Sequence, residues 1–163
     1  TFDRKVESLV MVTLGTGIGV AGLRNGQPVR NFKGEHPEIG HTPIPGINHP
    51  CYCGIDNCWE QAASRKGLER LQEIYGHNNP LVWRDYAKFL SDGLFTIINS
   101  QDPEVIVIGG SVSQYWNNLE KMVYENLSRN IYSSSSLKLV PSTLGVFAGA
   151  FGAALIPEIA QSS

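Results

Sequence analysis

The 163 residues, 42% of them hydrophobic, suffice to bury one core and make one ordinary domain. Thirteen basic and fifteen acidic residues leave a formal charge of −2 with no basic run, which argues against nucleic acid as a partner of this segment itself. The apolar run at 144–156 is thirteen residues, too short to span the roughly 30 Å of a bilayer's hydrocarbon, so no membrane partner is expected.

Residues 9–14 read as an apolar strand, followed by the turn Gly15-Thr16-Gly17-Ile18-Gly19 and a second strand of small residues through Leu23, a hairpin. Such a turn lets main-chain N–H groups and the Thr16 hydroxyl approach a phosphate, making Gly15, Thr16 and Gly17 a candidate phosphate loop. It is not a Walker A motif, having no G-K-[ST], and no helix follows as the dinucleotide fingerprint requires. A tight hairpin without a ligand is the local alternative.

Next come His41, Cys51, Cys53 and Cys58, four soft or borderline ligands within eighteen residues that use every cysteine in the chain. Four protein donors are the number a closed tetrahedral zinc site needs, and a closed site leaves no position for an activated water, so the zinc is expected to be structural. A disulfide framework is the rival. It leaves one cysteine unpaired, and Cys51 and Cys53 are too close to bridge without strain. Glu38 lies three residues before His41 and Glu60 two after Cys58, so a metal that fixes the ligands also fixes both carboxylates. Held carboxylates accept hydrogen bonds from hydroxyls, which a sugar presents at fixed angles; the alternative for each glutamate is a solvated surface residue.

From Cys58 the positions Trp59, Ala62, Ala63, Leu68, Leu71, Ile74 and Tyr75 predict a helix that stops at Gly76, with a break expected at 64–67. A second helix opens with Asn79 as cap and Pro80 at its first position, carries Val82, Tyr86, Phe89, Leu90, Leu94 and Ile97 on one face, and ends before Asp102-Pro103. The unbroken apolar run at 105–108 predicts a strand buried on both faces, as in a parallel sheet, ending on Gly109-Gly110. Ligands of open α/β sheets collect at the carboxyl ends of strands, so this pair would admit a ring or ribose; a small-residue turn is the alternative. A third helix is expected over 115–129 with Leu119, Met122, Val123 and Leu127 inward, then a solvated serine loop at 133–136. The small residues within 144–156 suggest a buried helix pressed against a sheet.

In this order, strand-G-T-G-x-G-strand, then E-I-G-H at 38–41, then C-x-C-G-x-x-x-C-x-E at 51–60, then V-I-V-I-G-G, then G-A-F-G-A-A, the chain resembles the ROK family of bacterial sugar kinases and sugar-responsive repressors over nearly its whole length. The resemblance implies an α/β fold: an actin-like, ribonuclease-H-like ATPase lobe, a mixed sheet flanked by helices, with a zinc-binding loop at about 35–60. It implies zinc on His41, Cys51, Cys53 and Cys58, sugar contacts from Glu38, His41 and Glu60, and nucleotide contacts from Gly15, Thr16, Gly17, Gly109 and Gly110. The implied activity is ATP-dependent phosphorylation of a hexose with Mg²⁺. A homodimer is implied as well, and a zinc–thiolate site without a visible signal peptide puts it in the cytoplasm.

Two departures stand out. Pro37 precedes Glu38 where the family usually has Gly, which bears on specificity. The D-x-G-x-T phosphate loop and the N-D pair that carries the family's catalytic aspartate do not occur; the only Asp-Asn pair, Asp56-Asn57, lies inside the cysteine box in the reverse order. The expectation is therefore that residues 1–163 form the C-terminal lobe of a sugar kinase, with no catalytic residue of their own and the N-terminal catalytic lobe absent. The effector domain of a ROK-type repressor is the alternative, and a zinc-stabilised interaction module without ligand the third.

Overall fold

The computed structural model describes residues 6–129, 137–145, 148, 150 and 152. Of the helix expected at 144–156 only 144, 145, 148, 150 and 152 are described, and the serine loop at 133–136 lies wholly outside the described residues.

Strand β1 (Ser8–Leu14) turns through Gly15-Thr16-Gly17 into β2 (Ile18–Arg24), with Gly15 N–H donating to Gly17 O at 3.0 Å. The short β3 (Gln27–Pro28) pairs on the outer side of β2. On the other side of β1, β4 (Val105–Gly109) and then β5 (Lys138–Pro141) run parallel to it, giving the sheet order β3-β2-β1-β4-β5. The mixed α/β architecture expected from the sequence is present. Because β1, β4 and β5 are parallel, their carboxyl ends fall on one edge of the sheet, where Thr13 pairs with Gly109.

The register explains the core. Val20, Val12 and Ile108 form one row across the sheet, and Val10, Ile106 and Leu139 the next, all buried on one face. The other face, carrying Leu9, Met11 and Val107, is half-buried among the described residues. The strand at 105–109 is thus covered on both sides except at Val107, close to the expectation.

The parallel crossovers supply the helices: α1 (Trp59–Ala63), α2 (Arg65–Tyr75) and α3 (Pro80–Gln101) lie between β3 and β4, and α4 (Trp116–Leu127) between β4 and β5. The break expected at 64–67 is a single residue: Ser64 is extended (ψ 177°) and its N–H closes α1 on Glu60 O. Gly76 (φ 87°) ends α2. Asn79 accepts from Leu81 N–H at 3.0 Å, with Pro80 at the first helical position. The third helix starts at Trp116, within one residue of the expectation, after residues Ser111–Tyr115 wind as a 3₁₀ turn. Leu119, Val123 and Leu127 are buried as predicted, whereas Met122 stays at the margin. No described helix is long and apolar enough to cross a membrane.

The long α3 is the spine of the core: Val82, Tyr86, Leu90, Leu94 and Ile97 are inaccessible to solvent. It also positions the metal loop. Trp59, next to Cys58 and fully buried, lays its indole where a side chain at Gly93 would stand. Gly93→Ala should therefore lose about 1–3 kcal/mol by overpacking, more than the roughly 1 kcal/mol of helix propensity it gains. A fall of about 2–4 °C in melting temperature per net kcal/mol is the expected reading. An unchanged or higher melting temperature would show that the indole has room to move.

Candidate metal centre and ligand cleft

The metal loop is assembled by short backbone contacts. A 3₁₀ turn at Ile39–His41 lies on the start of β2, so close that a Cβ on Gly40 would overlap the Ile18 carbonyl. This close approach is why the E-I-G-H sequence needs glycine at its third place. From there the chain pairs with the segment entering α1: Trp59 N–H donates to Thr42 O and Ile44 N–H to Asn57 O, both at 2.8 Å. His41 and Cys58 are thereby brought side by side. Gly54 N–H closes a tight turn on Cys51 O at 2.9 Å, returning the other two cysteines to the same point.

One donor atom each from His41, Cys51, Cys53 and Cys58 falls within 4.8 Å of every other. His41 Nδ1 stands 3.3 Å from Cys58 Sγ and 3.6 Å from Cys51 Sγ. A tetrahedral zinc with bonds of about 2.0–2.3 Å needs ligand separations of roughly 3.3–3.8 Å, so this donor set fits the ion in number and type; the two His41 separations match, and the wider ones, up to 4.8 Å, would close on binding. No disulfide forms among the three cysteines. Burial pushes the Cys58 thiol up to about 12, opposed by the Glu60 N–H but reinforced by its Cys51 and Cys53 neighbours. Burial opposes ionisation at Cys51 as well, yet hydrogen bonds from Cys53, Gln61 and Cys58 bring it down to about 7. Three close thiols cannot all ionise unaided, and metal uptake must expel the Cys58 proton.

Glu60 occupies the first turn of α1 and is 9% exposed. Its Oε2 accepts from Ile18 N–H at 3.0 Å, and its carboxylate fills the space beside Gly17. Arg65 N–H, at the start of α2, donates to Gly15 O at 2.8 Å. The glycine turn is thus carried on the same short helices that the metal loop anchors. On its far side Gly110 (φ 82°) packs against the Leu14 backbone, so the two glycine clusters singled out in the sequence meet at one edge. Beyond them opens a cleft of about 440 Å³ lined by Gly110, Ser111, Ser113, Gln114, Ser142 and Gly145. A larger groove of about 510 Å³ between α3 and α4 touches none of these residues. Four of its charged groups pair within it, Lys88–Asp92 at 2.8 Å and Arg84–Asp85 at 2.7 Å.

Glu38 is different from Glu60. Its side chain is 67% exposed and pairs with His36 Nε2 at 3.1 Å. Tyr52, which the sequence reading passed over, also lies at this site. Partial desolvation and then the charges of Glu60, Cys51 and Glu38 push its hydroxyl's pKa up. Its oxygen lies 2.8 Å from His41 Nε2. The cleft serines were missed too, although Gly-Gly-Ser-Val-Ser-Gln at the end of a buried strand is a readable polar signal.

Residues 1–159 match the ROK family. The chain belongs to the ROK family. Among its relatives are the xylose repressor of Bacillus subtilis, 26% identical over 90% of this chain and 43% of the repressor, and the glucokinase of Halalkalibacterium halodurans, 26% identical over 96% of this chain and 58% of the enzyme. The crystal structure of a ROK hexokinase from Thermus thermophilus superposes with a TM-score of 0.76 at 27% identity, covering 94% of this chain and 58% of that one. This ROK chain spans about half the length of the curated relatives it matches.

Proposed function

We propose that this ROK chain is the C-terminal lobe of an ATP-dependent hexose kinase, with structural zinc on His41, Cys51, Cys53 and Cys58. In this reading Glu38, His41 and Glu60 accept or donate hydrogen bonds to the sugar hydroxyls. Main-chain groups at Gly15, Thr16 and Gly17 hold phosphates, and Gly109-Gly110 with the adjoining serine-lined cleft receives the nucleoside. Phosphoryl transfer depends chiefly on positioning and charge stabilisation, so holding both substrates on one rigid edge is this lobe's contribution. The general base that takes the hydroxyl proton must stand about 3 Å from it, and the reading puts that aspartate in the preceding lobe. The full-length protein is proposed to act as a homodimer.

The observation that carries the reading is the hydrogen bond from Ile18 N–H to Glu60 Oε2, which ties a sugar-facing carboxylate to the glycine turn. A domain that only sensed sugar has little use for a phosphate turn built into the same network. The second reading, an effector domain of a ROK repressor, is favoured by the likeness to the Bacillus subtilis xylose repressor. A coupled ATP-consumption assay with a panel of hexoses separates them. Turnover is expected from the full-length protein and background from the 163 residues alone. Sugar-dependent release from DNA with no ATP consumption would establish the repressor, and robust turnover by the isolated chain would overturn the division into lobes.

A further inference from the structure

Tyr52 stands between two metal donors, Cys51 and Cys53, and its side chain is 83% exposed. An exposed phenol ring has no packing to fix it, yet this one meets the His41 imidazole edge-on, with ring centroids 4.9 Å apart. Its hydroxyl oxygen lies 2.8 Å from His41 Nε2. The other ring nitrogen, Nδ1, faces Cys58 and Cys51 and is the one that would meet a metal. With a metal on Nδ1 the imidazole would keep its remaining proton on Nε2, a donor aimed out of the site that Tyr52 Oη would accept.

We propose that Tyr52 is a displaceable cap on His41: its phenol oxygen occupies the place that a sugar hydroxyl takes on Nε2–H, and hexose binding requires the ring to swing away. The proposal rests on the sugar reading of the site. The chemistry matches because a phenol and an alcohol oxygen accept from the same donor in the same way. The exposure matches because the ring is held by one hydrogen bond and one edge contact, both open to water. A binding-competent state that is only partly populated weakens apparent affinity by its fraction, so the cap acts as a threshold that favours ligands able to offer a well-placed hydroxyl.

The test uses the zinc-loaded, full-length protein and its Tyr52→Phe variant. Without sugar, the imidazole N–H resonance of His41 should be protected from exchange in the parent protein and lose that protection in the variant. Absence of protection in the parent overturns the cap regardless of any sugar. In hexose titrations, Tyr52→Phe should bind about threefold to tenfold more tightly, the range set by one exposed hydrogen bond. Zinc content should not change. Equal or weaker binding by the variant, with the parent binding normally, overturns the proposal and makes Tyr52 a bystander or a direct sugar contact. Failure of both proteins to bind any hexose while the N–H remains protected overturns the sugar reading itself.

Discussion

Chelating the metal under reducing conditions is expected to lower the melting temperature by about 8–20 °C and to unravel residues 42–58 before the sheet. Structural zinc sites contribute on the order of 10 kcal/mol to small domains. Here the sheet and α3 have their own core, so the loss should be smaller, about 4–5 kcal/mol, at roughly 2–4 °C per kcal/mol for a chain of this size. The metal loop has little else to hold it. Ile44, Cys51 and Cys58 are its buried hydrophobic members, and its backbone is fastened by a handful of bonds such as His49 N–H to Asp56 O. Its anchor to the core runs through Trp59 and Glu60, which follow Cys58 directly. Amide exchange should therefore report loss of protection at 42–58 and at the glycine turn, with Val10, Val12 and Ile106 still protected. Cys58→Ser should reproduce the effect. A chelated, metal-free protein that melts at the original temperature would show that the cluster needs no ion.

The elements that could be read from the sequence are those whose causes are local. Asn79-Pro80 announces the start of α3 because cap and first turn are neighbours in the chain, and Gly76 announces the end of α2 for the same reason. The metal box was legible because zinc ligation needs donor types and spacing, both of which survive in one dimension. Other features depend on partners far away. Gly93 looks like an ordinary weakness in a helix until Trp59, 34 residues earlier, is seen filling the space above it. Gly40 reads as part of a motif, and only the Ile18 carbonyl explains why it must be glycine. Glu60 was recognised as a carboxylate the metal would hold, but its grip on the glycine turn is a contact across 42 residues. Tyr52 gave no sequence signal at all, since an aromatic in a cysteine loop has no periodicity to mark it. Its meaning lies in the direction His41 faces.

That grip gives the two glutamates different expected behaviour in the full-length protein, and the difference is itself a prediction. Glu60→Gln and Glu38→Gln should each weaken sugar binding or turnover by at least about tenfold, since a charge-assisted hydrogen bond contributes about 1.5–3 kcal/mol. Zinc content should stay constant, because neither carboxylate belongs to the donor cluster. Glu38 is exposed and paired only at its rim with His36, so its substitution should leave stability unchanged within about 0.5 kcal/mol. Glu60→Ala is the severe case. It strands the Ile18 N–H without its acceptor, at about 1–3 kcal/mol, and opens a void beside Gly17 that frees the glycine turn. Nucleotide affinity should then fall along with sugar affinity. Glu60→Gln should spare much of the nucleotide loss, because the amide oxygen can still accept from Ile18 N–H. If Glu60→Ala weakened sugar binding alone and left nucleotide affinity and melting temperature untouched, the carboxylate would be a sugar contact and nothing more, and the turn would not depend on the metal box.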